Sequence, residues 1–479
     1  MRATAKRREA RISWLIGIIL GVTLVKGALW SAAVPIWQAP DEPSHFAVVQ
    51  FIAENGRLPR PSDDCISLEV RTSMRQSGME LVAFRPGGQQ EFATGLDGPN
   101  EALLRAIPMQ DRRTPNSHST ATTVPPLYYI IGAIMYRLVY GGNILTRLFA
   151  VRQVSVLLTA FTVWLAYRIA RLTFPDQEQM WVTVPVLVSF HPMFTFIASV
   201  VNTDVLLVAL SSWGTYVLLL VVKSGFTTRR AVALGLVIGL GILTKPQIWF
   251  LLPPLALVAA LEFVQRRIVL RRLAFFFILI ALVSLVVGGW SLVRNQLLNK
   301  NPFYAELRSN MTPQPDATLG EYLWVYEDRL TQDLFKSYWG RFGWLDTPLQ
   351  TEVYHLLRIV VCIAAAGVIA YTAAWSRRRP SQTDWLLLVQ AVYILTFLLG
   401  FVVPGFALYR QFGVHQPSQG RYFFAPLVCQ MTLMAVGLLT FVPRKWHPVG
   451  HIVMQFTAIL FHLYVMLNVI IPRYYVLVP

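Results

Sequence analysis

The chain has 479 residues, 55% of them hydrophobic and 14% charged, with a formal net charge of +17 and a mean hydropathy of +0.49. Ordinary soluble globular domains do not reach that composition. The basic excess falls in short clusters between apolar runs, so it argues for membrane topology and against nucleic acid.

A helix needs about 20 apolar residues to cross a hydrocarbon core of about 30 Å, and runs of that kind recur along the chain. In order they are Ile12 to Trp37, Leu148 to Tyr167, Met180 to Ala198, Val205 to Val222, Ala231 to Leu243 and Gln247 to Phe263. Leu273 to Val293, Leu356 to Trp375, Trp385 to Val403, Tyr422 to Val442 and Val449 to Ile471 follow. The expectation is an all-α polytopic membrane protein of about eleven transmembrane helices, one domain over 1–479. The first run is too long for a signal-peptide core and is expected to remain as an anchor.

Basic clusters fix the orientation. Lys6-Arg7-Arg8, Arg168 with Arg171, Arg229-Arg230, Arg266-Arg267 with Arg271-Arg272, Arg377-Arg378-Arg379 and Arg444-Lys445 fall on alternate connections, which marks them as cytoplasmic, with the N-terminus. Leu127 to Tyr140 is short, contains Arg137 and is bounded by Pro125-Pro126 and Gly141-Gly142. A crossing there would throw every later cluster outside, so a re-entrant or juxtamembrane helix is expected. The outer side then carries a first loop over 39–145, a second over 294–355, and short loops near Asn202, Lys245 and Gly420. Of the three cysteines, Cys65, Cys362 and Cys429, only Cys65 falls in an outer loop, so no disulfide or metal spacing is apparent.

The segment Pro40-Asp41-Glu42-Pro43-Ser44-His45-Phe46 follows the first span. Asp41 reads as an N-cap with Pro43 in the first turn, and Phe46, Val49, Ile52 and Ala53 recur at helical spacing. A short amphipathic helix over 42–55 is expected at the outer interface, with Asp41 and His45 on one face. Other outer ends carry Asn202-Thr203-Asp204, Lys245-Pro246, Arg294-Asn295, Trp339-Gly340-Arg341-Phe342-Gly343-Trp344 and Gln419-Gly420-Arg421-Tyr422. Acids and cations thus converge on one leaflet, which points to chemistry on a membrane-borne substrate. Lys26 lies deep in the first span, where a charge faces the protein interior. His118, His191 and His415 read as structural histidines.

These blocks, together with Pro-Pro-Leu-Tyr-Tyr at 125–129, resemble the polytopic glycosyltransferases of the GT-C class, in a bacterial branch of largely unassigned function. The first outer loop is similar to that of protein O-mannosyltransferases, although Asp-Glu-Pro-Ser-His-Phe carries one extra residue before the histidine. The resemblance implies an inverting transfer of a hexosyl or pentosyl group from a polyprenyl-phosphate-linked donor to a glycan, lipid or protein acceptor. It also implies an exoplasmic active site on a bacterial cytoplasmic membrane. Asp41 takes the place of the general base, with Glu42 beside it; Asp204, Asn202 and His45 stand as second acid or acceptor contacts. Lys245, Arg294, Arg421 and Arg341 are the cations for the donor phosphate, because a departing phosphate needs positive charge and no proton. Phe84, Arg85, Arg112 and Arg113 are expected to shape the acceptor side.

Two carboxylates without a third ligand do not make a metal site, so no cofactor is expected, with a divalent metal left open. Two alternatives also stay open. One is a transporter or flippase of lipid-linked envelope intermediates, although such proteins place ionisable groups near the midplane in repeated halves. The other is a non-catalytic envelope-assembly scaffold.

Overall fold

In a computed structural model, which describes residues 2–79, 101–265, 267–299, 312–328, 333–413 and 419–475, the chain is a bundle of apolar helices. Strand structure among the described residues is limited to two short antiparallel pairs, Ile66–Ser67 with Pro115–Ser117 and Arg341–Phe342 with Thr347–Pro348. Among the described residues, eight helices are long and apolar enough to cross a membrane, or nine when the bent pair Glu178–Ser189 and Pro192–Ala198 counts as one span. The expected eleven is therefore not reached by that measure. The two remaining runs form the shorter helices Thr228–Ile242 and Leu427–Thr440, of 15 and 14 residues, each rising about 21 to 22 Å. Leu127–Leu138 is shorter still at 12 residues, about 18 Å long.

Side-chain caps set several helix starts. Asn143 accepts from Thr146 N at 3.0 Å ahead of Ile144–Thr173, and Ser381 with Asp384 forms a capping box ahead of Gln382–Phe412. Ile144–Thr173 and Asp204–Ser224 lie at the centre and are buried along most of their length. Thr351–Ala373, Leu270–Ser284 and His447–Val465 present rows of exposed Leu, Ile, Val and Phe, as lipid-facing helices do. At Gly367 and Gly437 the backbones of Thr351–Ala373 and Leu427–Thr440 approach so closely that a Cβ on either would strike the opposite chain.

The span expected over Met180 to Ala198 is broken by 60°. Lys26 explains how the break is tolerated: its ammonium donates to the freed Ser189 carbonyl and, at 3.0 Å, to Thr195 Oγ1. His191 caps the second piece by accepting from Phe194 N and stacks on Trp339. His118 sits at the surface beside Asp64, while His415, Phe84 and Arg85 lie outside the described residues.

Candidate active site

The segment between the first helix, Arg2–Ala33, and Glu42–Asn55 turns back on itself through two non-glycine residues in left-handed backbone conformation, Trp37 (φ 64°) and Asp41 (φ 65°). Such conformations persist where surroundings hold them. Here the Trp37 indole donates to Ser73 Oγ at 3.0 Å, and the Trp37 carbonyl accepts from Trp344 Nε1 at 2.9 Å. Arg152 fixes the other side by donating to the carbonyls of Ser31 and Val34, both at 2.7 Å, and of Pro35 at 3.2 Å. The Ser31 carbonyl is one that the end of a helix leaves without a backbone partner.

Arg152 also binds Glu42 through two hydrogen bonds, Nε to Oε1 at 2.8 Å and Nη2 to Oε2 at 2.7 Å. Glu42 Oε1 further accepts from Val201 N at 3.0 Å. Glu42, expected beside Asp41 in the catalytic pair, is thus fully buried and engaged in a tie between three segments. These contacts tie the turn bearing Asp41 to the chain that leads into Asp204. Arg152 went unnoticed in the sequence, although an arginine inside an apolar run is itself a signal.

Asp41 departs from expectation as well. It occupies the cap position of Glu42–Asn55, yet its side chain makes no capping hydrogen bond. The carboxylate instead accepts from Arg421 Nη2 at 2.6 Å. The Asp41 side chain is 46% exposed and that of Arg421 5%. The helix itself is buried on most of its circumference, packed on Leu127–Leu138, rather than lying half-exposed at the interface.

Asp204, the first residue of Asp204–Ser224, directs Oδ1 to Lys245 Nζ at 2.5 Å and Oδ2 towards Arg421 Nε at 3.9 Å. Asn202 accepts from Asp204 N at 2.8 Å, the local turn that starts the helix. Lys245 follows Thr228–Ile242, and Arg421 lies in the 3-10 turn Gly420–Phe423. That turn sits tight against Tyr338: a Cβ at Gly420 would strike the Tyr338 backbone, and Gly420 N donates to Ser337 Oγ at 2.8 Å. The result is a row of alternating charge, Asp41, Arg421, Asp204, Lys245, assembled from four distant segments.

Burial works against ionisation of Asp41, but the Arg421 guanidinium and its hydrogen bond, with His45 and Lys245 nearby, hold the carboxyl below the ordinary carboxylate range. Burial pushes the His45 imidazole down to about 4 despite the pull of Asp41, so at neutral pH it is an uncharged partner of the Tyr129 hydroxyl at 2.7 Å. Tyr129 belongs to the Pro-Pro-Leu-Tyr-Tyr block that the sequence singled out without giving it a role.

Beside Lys245 opens a cavity of about 600 Å³, walled by Pro125, Trp249, Phe250, Phe397, Phe401, Pro404 and Tyr422. Among the described wall residues, Lys245 carries the charge.

Other expected cations lie apart from this row. Arg294 donates to the Pro59 carbonyl, and Arg341 pairs with Asp333 at 2.8 Å. Arg112 and Arg113 both pair with Glu54 at 3.0 Å. Among the described residues, no three His, Cys, Asp or Glu side chains come together so as to hold a metal ion.

No curated protein matches the sequence. Among solved structures, the chain is similar to ArnT from Cupriavidus metallidurans bound to undecaprenyl phosphate, at 14% identity and a TM-score of 0.49, covering 92% of this chain and 63% of that one. It is also similar to the Archaeoglobus fulgidus oligosaccharyltransferase in its apo form, at 12% identity and a TM-score of 0.48, over 95% of this chain and 55% of that one. The AglB oligosaccharyltransferase of the same organism, in complex with an inhibitory peptide and a dolichol-phosphate, gives the same figures of 12%, 0.48, 95% and 55%. The chain spans 55% to 63% of the length of these structures. Similarities of this size leave the chemistry to be read from the residues of the chain itself. The model of the family of predicted membrane proteins designated DUF2142 matches residues 24–429, most of the chain, and the protein belongs to that family.

Proposed function

We propose that this protein is an inverting glycosyltransferase of the GT-C class. It moves a sugar from a polyprenyl-phosphate-linked donor to an acceptor hydroxyl at the exoplasmic face of a bacterial cytoplasmic membrane. The reading is carried by one observation: the row Asp41, Arg421, Asp204, Lys245 ends at Lys245 in the wall of a largely apolar cavity of about 600 Å³. Apolar walls suit an isoprenoid chain, and cations at one end suit its phosphate.

In this reading the acceptor oxygen forms a bond to the anomeric carbon while its proton passes to the Asp41 carboxylate. The bond from the anomeric carbon to the phosphate oxygen breaks, and its electron pair leaves with the phosphate. Lys245 and Arg421 stabilise the charge that develops there, in a site where burial strengthens their effect. A single displacement inverts the anomeric centre. Asp204 holds Lys245 and Arg421 in register, and Glu42 with Arg152 holds Asp41.

The test is a comparison of lipid-linked sugars and envelope glycans in cells carrying the wild-type chain, no chain, or Asp41→Asn. Deletion and Asp41→Asn should both accumulate one polyprenyl-phosphate sugar and lose a matching glycan residue. Full restoration of the glycan by Asp41→Asn, at normal membrane abundance, refutes the reading and favours a transporter or scaffold.

A further inference from the structure

The row of charges is closed on itself: Asp41 accepts from Arg421, Arg421 faces Asp204, and Asp204 holds Lys245. Two carboxylates match two cations, so an incoming phosphate gains full electrostatic contact by taking the place of a carboxylate. Resting on the function proposed above, we infer that donor phosphate and Asp41 compete for Arg421, so that seating the donor is what releases the base.

The two carboxylates are not equally displaceable. Asp204 is 4% exposed and begins a buried helix, with Lys245 on one oxygen. Moved off its cations, it would be a stranded buried anion, which is strongly unfavourable. Asp41 is 46% exposed and can turn into water. Water can take over the hydration of the Asp41 carboxylate as it leaves, while the buried Arg421 passes to the phosphate. Asp41 is therefore the partner that yields.

Arg421 is also built to take more than it holds. Its Nε is buried and makes no hydrogen bond, and Asp204 Oδ2 stands 3.9 Å from it. A carboxylate on Nη2 leaves that N–H unused. A phosphate offers several oxygens, and two of them can engage Nε and Nη2 side by side, the stronger arrangement for a guanidinium.

Displacement changes the chemistry of Asp41. While paired, its carboxyl is held below the ordinary range, where a carboxylate is a poor proton acceptor. Freed from the guanidinium, the same group binds protons more strongly, as general-base catalysis requires. The order of events follows: donor first, then activation of the acceptor hydroxyl.

Binding of farnesyl phosphate to the purified full-length chain in detergent tests this without a transfer assay. If Asp41 competes for Arg421, Asp41→Asn should bind the probe about fivefold tighter or more, as loss of a competing ion pair implies. Arg421→Gln should bind it much more weakly, and Asp41→Asn should then give no gain on that background. Unchanged or weaker binding by Asp41→Asn, with binding still dependent on Arg421, overturns the inference and leaves the proposed function standing. No binding by the wild-type chain overturns both.

A second measurement needs no variant. Coupling of glycinamide to the Asp41 carboxyl by carbodiimide in the wild-type chain, read by peptide mass, should rise several-fold when farnesyl phosphate saturates the protein. A coupling yield that the probe leaves unchanged or lowers overturns the competition.

Discussion

Arg421 Nη2 donates to Asp41 Oδ2 at 2.6 Å across 380 positions of sequence. The contact joins the turn after the first helix to the turn before Leu427–Thr440. A capping aspartate would bond the first-turn amides of its own helix; this one makes no such bond and reaches into the site.

Asp41→Asn is accordingly expected to lower transfer by about 10² to 10⁴, the usual contribution of a positioned general base, while leaving the fold intact. The side chain is half-exposed, makes no capping bond, and leaves Asp204 facing Arg421 when neutralised, so the loss of stability should be modest. Initial rates on a polyprenyl-phosphate sugar, with unfolding followed by tryptophan fluorescence, separate the two effects. A rate within threefold of wild type removes Asp41 from the chemistry.

Glu42 and Arg152 should behave in the opposite way. Both are nearly inaccessible, and removing one strands the other. Arg152→Met and Glu42→Gln are each expected to cost about 3 to 5 kcal/mol of stability. The double variant should lose clearly less than the sum, since no lone buried charge remains. A double-mutant cycle from urea unfolding in detergent checks this, and additive losses would show that the pair does not act as a unit.

How much of this was legible in sequence follows from which forces act locally. The apolar runs, the basic clusters and the helix over 42–55 are local patterns, and the structure has helices at those places. Asp41, Asp204, Lys245 and Arg421 were picked out because charged residues at the outer ends of apolar runs are conspicuous. Their pairing was not legible, because an ion pair between positions 41 and 421 leaves no trace in local spacing. The partner of Glu42 was hidden for the same reason: adjacent to Asp41 in sequence, it is drawn to Arg152 by a contact made across the fold. Lys26 read correctly as inward-facing, yet its partners are a backbone carbonyl and a hydroxyl at a helix break that periodicity does not reveal.

Burial of His45 sets a pH dependence of stability. Its imidazole is pushed from 6.5 down to about 4, so as pH falls below 6.5 the unfolded chain takes up a proton that the folded chain refuses. Stability should therefore decline from pH 6.5 to about 4 and, for this group, level off below. Asp41 has the same sign in a lower window: its contribution is present above 3.8 and is lost as pH falls towards its depressed folded value. His45→Gln should flatten the decline between pH 6.5 and 4. Melting temperatures of both proteins across that range give the answer, and parallel curves would refute the assignment.

Gly420→Ala probes how Arg421 is held. The added methyl meets the Tyr338 backbone, which has no flexible end to move aside. The turn Gly420–Phe423 must shift, and a displacement of about 1 Å in a positioning group is enough to cost on the order of a hundredfold in rate. The expected signature is a large loss of transfer with the helices preserved by circular dichroism. Wild-type rates for Gly420→Ala would mean that the guanidinium does not need this placement.

The row is expected on the outer side of the membrane, from where its members sit on their helices. Asp41 follows the first helix, Asp204 begins its helix, Lys245 follows its helix and Arg421 precedes its helix. For helices that alternate in direction, these positions share one end of the bundle. Arg168, Arg230, Arg267 and Arg378 sit at the opposite ends of those or neighbouring helices, and short basic loops stay in the cytoplasm. Exposed Thr120, whose hydroxyl lies 3.4 Å from Ser44 Oγ, shares the side of Asp41. In a chain with Cys65, Cys362 and Cys429 replaced, Thr120→Cys should react with a membrane-impermeant maleimide in spheroplasts. Arg229→Cys should react only after the membrane is opened. The reverse pattern would put Asp41 in the cytosol, where an exoplasmic sugar transfer cannot use it.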